Sequence, residues 1–484
     1  LKSKTLSLPQ RLTLVLGLVI LVVEFGSSFQ YEYTVVVNSP AEVGGTGQEN
    51  GDTFLTLLRS LTVDMFPLRG LIGSLMVASM INKYGRKGAL MISNIFSIVS
   101  ATLMGYNKML SSFMVIIFAR IFLGIRMTYN VVPLYLGELV PKNLRGAVGF
   151  VNQLFITIGI FVAQIFGFQC ILGTEEEWPI LFGLTGIFEV IELILLPFFP
   201  ESPRYTLIQR GDEEGAEIEE IPLEDELEKA AGQVSVLKFV STKTLWWQLI
   251  SILVMMAGQQ FSGINVVYYY SDQIFKEAGV KENHIQYITA GTGAVNVVMT
   301  ILAVFIVERL GRRLLILIGF SICCLACIVL TIALSLQVKN LQDPDYLKRS
   351  GPCDFSPIGH CGWGASVMVC VIGHAMGPSP IPSLIIEEIF LQSTQLAAFM
   401  IGGTVHWLSN FSMGLFFPFL QESLGAYCFI IFAAICFITV FIIPETRTKS
   451  FVELNQIFAR INKMQALSQR NLNPPPSILL LLSR

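Results

Sequence analysis

Uncharged polar side chains interrupt long apolar stretches of this sequence at Gln153, Gln259, Gln260, Asn265, Asn296, His374, His406 and Asn410. Amides and imidazoles both donate and accept hydrogen bonds, so a set of them suits a neutral ligand dense in hydroxyl groups. Such groups are costly in an apolar medium unless they are paired or wet. Helices that hydrogen-bond to one another would use the same residue types, and the types alone leave both uses open. On a continuous helix Gln259 and Gln260 diverge by ~100°, whereas Gln259 with Ser262, or Ser262 with Asn265, share a face.

A second set is charged. Arg86, Glu138, Arg145, Glu201 and Arg204 in the first half, with Arg312, Arg313, Glu388 and Glu445 in the second, stand where apolar stretches end. Exposed guanidinium–carboxylate pairs are worth ~0–1 kcal/mol each, which suits a latch that is broken and remade in every cycle. Retention of basic residues on the cytoplasmic side accounts for the arginines but not for the carboxylates at matched points. No Ser/His/Asp order, phosphate-binding loop or metal-ligand spacing stands out, so neither an enzyme nor a cofactor is expected. His360 beside Cys353 and Cys361 makes too small a set for a metal, although those two cysteines fall in an outer loop where a disulfide can form.

The elements that must position these groups are membrane helices. Of 484 residues 53% are hydrophobic and only 14% charged, and the mean hydropathy is +0.64. Runs long enough to cross a ~30 Å hydrocarbon core recur down the whole chain. They number about twelve, near 12–35, 56–81, 88–106, 112–136, 147–170, 179–199, 246–270, 285–307, 313–336, 363–386, 398–420 and 424–444, and are called spans one to twelve below. Lys83, Arg86 and Lys87 follow span two, Lys142 and Arg145 span four, and Arg309, Arg312 and Arg313 span eight. This bias places even-numbered ends and both termini in the cytoplasm, with span one as both signal and permanent helix. The net charge of −3 points to no further partner, and no nucleic acid is expected.

An internal repeat divides the chain. Asn82-Lys-Tyr-Gly-Arg-Lys-Gly88 is echoed by Glu308-Arg-Leu-Gly-Arg-Arg-Leu314, and Pro200-Glu-Ser-Pro-Arg204 by Pro444-Glu-Thr-Arg447. The expected organisation is a six-helix bundle over 1–200, a cytoplasmic linker with short helices over 201–244, a second six-helix bundle over 245–446, and a cytoplasmic tail over 447–484. Repeats of this kind place a binding site near the midplane, where one half rocks against the other. With Gly137-Glu-Leu-Val-Pro-Lys-Asn-Leu-Arg145, Gln259-Gln-Phe-Ser-Gly-Ile-Asn265 and Gly377-Pro-Ser-Pro-Ile-Pro382, these motifs resemble in order and spacing the facilitative sugar transporters of the sugar porter family, within the major facilitator superfamily.

That resemblance implies an all-α membrane protein of the major facilitator fold and a hexose uniporter in the cell membrane, working by alternating access. It implies sugar contacts at Gln153, Gln259, Gln260, Asn265, Asn296 and Asn410, and a cytoplasmic latch made by the charged set. Three positions resemble the fructose-carrying branch: His374 where glucose carriers have a carboxylate, Ser383 where they have tryptophan, and His406 where they have asparagine. Fructose, with glucose as the other candidate, is the expected small-molecule partner. Tyr268, Tyr269 and Tyr270 are placed to narrow the outer approach, and Gly373, Gly377, Pro378, Pro380 and Pro382 weaken the helix of span ten.

Some features depart from that pattern. Glu24, Glu32, Arg59, Asp64, Arg69, Arg126, Glu189 and Glu192 fall inside spans, where each costs about 2.5–3.5 kcal/mol if central and unpaired, while those nearer the ends can snorkel. The chain is one residue short between Tyr33 and Asn38 and about two short around Arg126 to Tyr129, and each lost residue turns a helix by ~100°. Two alternatives therefore stand beside the uniporter. One is a proton-coupled sugar symporter using Glu32, since the position where coupled relatives carry a carboxylate is Thr34. The other is a sensor or inactive copy that does not transport.

Overall fold

A computed structural model describes residues 14–30, 33, 53–106, 128–140, 144–174, 177–206, 236–242, 245–266, 268, 282–342, 357–390 and 392–441. Regular structure among them is entirely helical, as it must be for a single-chain bundle whose backbone hydrogen bonds cannot be left to lipid. Six of the described helices are long and apolar enough to cross a membrane, at Gly70–Gly105, Gly146–Phe166, Trp246–Val266, His284–Val307, Arg312–Ser335 and Gly364–Ile389. Phe305, Leu325 and Phe437 are among the large apolar side chains left facing outward, as lipid contact requires.

The spans run close to their expected limits. Span one is Leu14–Val23 followed by a π-helical turn, Glu24–Phe29. Spans two and three form Thr53–Gly105, broken at Gly85. Span four is described over Thr128–Leu139, and spans five and six over Arg145–Phe166 and Trp178–Leu195. In the second half the helices are Trp246–Gln260, Glu282–Leu310 and Arg312–Gln342, then Pro357–Met376 with Ile381–Ile389, then Gln392–Leu424 and Cys428–Val440.

The repeat is visible in the backbone. Gly85 and Gly311, each preceding an arginine in the echoed motif, turn the chain with φ of 80° and 86°. A side chain at such an angle costs roughly 1–2 kcal/mol, so glycine is the residue for both turns. The halves meet along two seams: the helix of spans two and three packs on span eleven, with Gly70 of span two against Trp407, and span five packs on span eight. The repeat maps span two onto span eight and span five onto span eleven, so one seam is the image of the other. At the second seam Gln169 N donates to Gln286 Oε1 at 3.3 Å, and Phe168 meets Tyr287 with ring centroids 5.3 Å apart.

Carboxylates singled out inside the spans lie within the bundle. Glu189 and Glu192 are both fully buried, because span six turns them inward, and Ser27 Oγ lies 2.9 Å from each oxygen of Glu192. Glu24 is also fully buried and lines a narrow crevice with Gly137, Asn152 and Glu387. Cys170, expected inside span five, is exposed, because that helix ends at Phe166. Glu32, Arg126, Cys353, Glu445, Tyr269 and Tyr270 lie outside the described residues, as do the side chains of Arg59, Asp64, Arg69, Arg145, Arg204 and Cys361.

Candidate functional site

Span seven carries the richest polar run, and its helix stops inside it. Phe261 N closes the last turn on Ala257 O at 2.9 Å, after which Gly263 adopts φ of 89°. A Cβ on Gly263 would lie 3.2 Å from the Phe432 ring, so both backbone angle and space call for glycine. The turn sends Asn265 back toward the helix end, where its Nδ2 donates to Gln260 Oε1 at 2.6 Å and to Gln260 O at 3.1 Å. Face sharing by three-residue spacing therefore does not hold past Gln260, because the helix it assumes has ended.

Span ten is interrupted at the same depth. Its first helix ends at Met376 and the second starts at Ile381, with Gly377-Pro-Ser-Pro380 between them. Gly377 presses on the backbone of span nine, a Cβ there falling 2.5 Å from Leu315 O. The prolines offer no N–H to continue the ladder, and Gln259 Nε2 donates to the freed Ser379 O at 3.2 Å. Ser262 Oγ lies 3.3 Å from His374 Nδ1, which joins the two breaks.

His406 on span eleven is the centre of the cluster. Gln260 Nε2 lies 2.9 Å from its Nδ1 and 3.1 Å from its Nε2, and Gln259 Oε1 lies 3.2 Å from Nδ1. The two glutamines thus converge despite their ~100° separation, because their long side chains reach around the end of the helix. Asn410, one turn along span eleven, donates to Gln260 Oε1 at 3.0 Å. On span eight Asn296 donates to Tyr268 Oη at 2.8 Å. Gln259, Gln260, Asn296, His374, His406 and Asn410 are all buried.

Two expected members stand apart. Gln153 is half-buried and makes no hydrogen bond among the described residues, and Ser383 Oγ is turned to Pro380 O at 3.2 Å. Two members were missed. Tyr129 on span four stacks on His406 with centroids 4.5 Å apart and places its hydroxyl 3.1 Å from Nδ1. Trp407 meets the His406 ring edge-on at 5.2 Å. Aromatic residues inside a span read as apolar filling, so the only signal for either was chain proximity of Trp407 to His406.

The arrangement is a buried set of neutral donors and acceptors, nearly all from the second half. Exchanging its internal hydrogen bonds for those of a polyhydroxylated ligand is close to neutral, since only an unmade bond is expensive. Nothing in it resembles a nucleophile with its base, and among the described residues no group of three His, Cys, Asp or Glu is placed to hold a metal.

The charged set is assembled less simply. Arg86 pairs with Glu138 at 2.9 Å, Glu138 also accepts from Ser202 Oγ, and Glu201 Oε1 accepts from the backbone of Lys87 at 3.1 Å. Arg312 pairs with Glu388 at 3.0 Å, while Arg313 is exposed. Each of these pairs lies within one half, and the Arg86 and Glu138 side chains are only 3% and 2% exposed. The first pair is therefore a buried fixture of its half, not a weak surface contact. Across the halves, the space beside Gly146 is closed by Arg312 at 3.4 Å and that beside Gly137 by Glu387 at 3.8 Å.

Comparison with known proteins adds to this geometry. The family described as "Sugar (and other) transporter" matches residues 18–458. The chain is 56% identical to solute carrier family 2, facilitated glucose transporter member 5, of Homo sapiens, over 94% of both chains. It is 48% identical to member 7 of Mus musculus, over 94% of this chain and 92% of that one. Among solved structures it superposes on the major facilitator superfamily proton:xylose symporter XylE bound to 6-bromo-6-deoxy-D-glucose, with a TM-score of 0.72 and 21% identity, covering 92% of this chain and 99% of the other.

Proposed function

Because the chain belongs to the sugar transporter family and has the major facilitator fold, we propose that it carries a hexose, fructose foremost and glucose second, across the cell membrane as a facilitative uniporter. It is a transporter and not an enzyme. The observation that carries the reading is the convergence of Gln259, Gln260, Asn265 and Asn410 around His406, where the broken spans seven and ten meet. His374 and His406 supply imidazoles where a carboxylate and an amide would favour glucose, and Ser383 leaves room that an indole would fill. Asn296 and Gln153 complete the lining when the ligand draws them in.

In this reading residues 1–200 and 245–446 are the rocking halves, 201–244 the linker and 447–484 the tail, with both termini cytoplasmic. Arg86, Glu138, Glu201, Arg312 and Glu388 hold the inner ends of each half in shape, and Arg145, Arg204, Arg313 and Glu445 complete the latch between halves. A second reading, proton-coupled symport, is favoured by one observation: the carboxylate of Glu24 is fully buried within span one. Uptake of labelled fructose and glucose into proteoliposomes, with and without a proton gradient, separates the two. Saturable fructose flux indifferent to the gradient is the expected result. Flux driven by the gradient establishes symport, and no flux of either sugar from folded protein establishes a sensor or inactive carrier.

A further inference from the structure

The site described above is built by the second half, with one exception. Tyr129 belongs to span four of the first half, yet its ring lies on His406 at 4.5 Å and 29°, and its hydroxyl reaches Nδ1 at 3.1 Å. Two further neighbours also lie across the seam: the Met256 sulfur 4.0 Å from the hydroxyl, and the Trp407 ring at 5.8 Å and 72°. Trp407 has no slack, since a Cβ on Gly70 of span two would fall 2.3 Å from its ring.

The histidine is over-subscribed. Nδ1 has one lone pair or one proton, and three groups approach it within 3.2 Å: the Gln260 amide, the Gln259 carbonyl and the Tyr129 phenol. A single nitrogen cannot satisfy all three. The two glutamines sit on the same half as His406 and travel with it when the halves rock. Tyr129 alone is carried away by that motion, so its bond is the one that alternating access must break.

Resting on the hexose reading above, we propose that Tyr129 is a gate residue which occupies His406 until a sugar hydroxyl replaces it. An empty carrier that rocks must break the phenol–imidazole bond in the step itself. A loaded carrier has already exchanged that bond for one between the sugar and His406, so its rocking breaks no phenol–imidazole bond. Occupancy of the site is thereby coupled to movement of the halves through one displaceable hydrogen bond, and the loaded form reorients faster than the empty one. The phenol also competes with the sugar, so it lowers apparent affinity while it speeds exchange relative to net flux.

The test compares Tyr129→Phe with the wild type in proteoliposomes, measuring labelled fructose in equilibrium exchange and in uptake into empty vesicles. The phenylalanine keeps the stacked ring and removes only the hydroxyl. Wild type should exchange faster than it takes up net sugar. In the variant that ratio should fall by about two- to tenfold, the worth of one such bond, with KM falling in the same direction. A wild type that carries fructose and a variant with unchanged ratio and KM overturn the gate; a wild type that carries no sugar overturns the hexose reading and this proposal with it. Should the variant not reconstitute, fructose-induced change in Trp407 emission, taken as wild type minus Trp407→Phe, decides the matter. The separation of Tyr129 from His406 must alter it, and an unchanged spectrum at saturating fructose counts against the gate.

Discussion

Gln260 is the most heavily used side chain of the site. Its oxygen accepts from Asn265 and Asn410, and its nitrogen reaches both ring nitrogens of His406. Gln260→Ala removes these contacts at once, and at about 0.5–1.5 kcal/mol for each net bond the KM for sugar should rise by roughly ten- to a hundredfold. Transport kinetics beside surface expression check this. A fall in expression with KM unchanged would mean that the amide mainly holds helices together. Gln260 was legible in the sequence because an uncharged polar group surrounded by apolar residues needs a reason to be there. Tyr129 and Trp407 were not, because an aromatic ring in a membrane helix is already explained by lipid or packing, and only coordinates reveal a phenol aimed at an imidazole.

At the scale of elements, the two helix interruptions were readable to different degrees. The Gly-Pro-Ser-Pro run of span ten announces its break, since two prolines remove two donors. Span seven contains no proline, and its end at Gln260 comes from a glycine turn whose angle only the folded environment selects. Helical geometry applied to the whole run therefore separated Gln259 from Gln260 and joined Ser262 to Asn265 by a face they do not share. The turn is testable through Gly263→Ala. The positive φ costs about 1–2 kcal/mol, and the added carbon crowds Phe432 at 3.2 Å. A lower melting temperature in detergent and weaker sugar affinity are both expected, since Asn265 is placed by that turn; unchanged affinity would show that Asn265 is positioned by other contacts.

For the whole molecule, twelve-span architecture and two-fold repetition were written in the spacing of apolar runs and in the paired Gly-Arg motifs, whose glycines both have a positive φ. The division of labour between the halves was not written there. Polar residues occur in both, and nothing local says that Gln153 stands outside the contacts that link Gln259, Gln260, Asn265, His406 and Asn410. In the proposed cycle, seen from the second half, a sugar at the site stays almost still while the first half swings across it as a shutter with two rest positions. A fructose derivative bearing a bulky group on the edge that faces Tyr129 should then seat with nearly the parent's affinity and jam the shutter. It would act as a wedge, competitive from the side on which it is added and never delivered to the other. Displacement of labelled fructose without counter-transport of the derivative is the expected signature, and passage of the derivative would show that the first half closes less tightly than its contact with His406 implies.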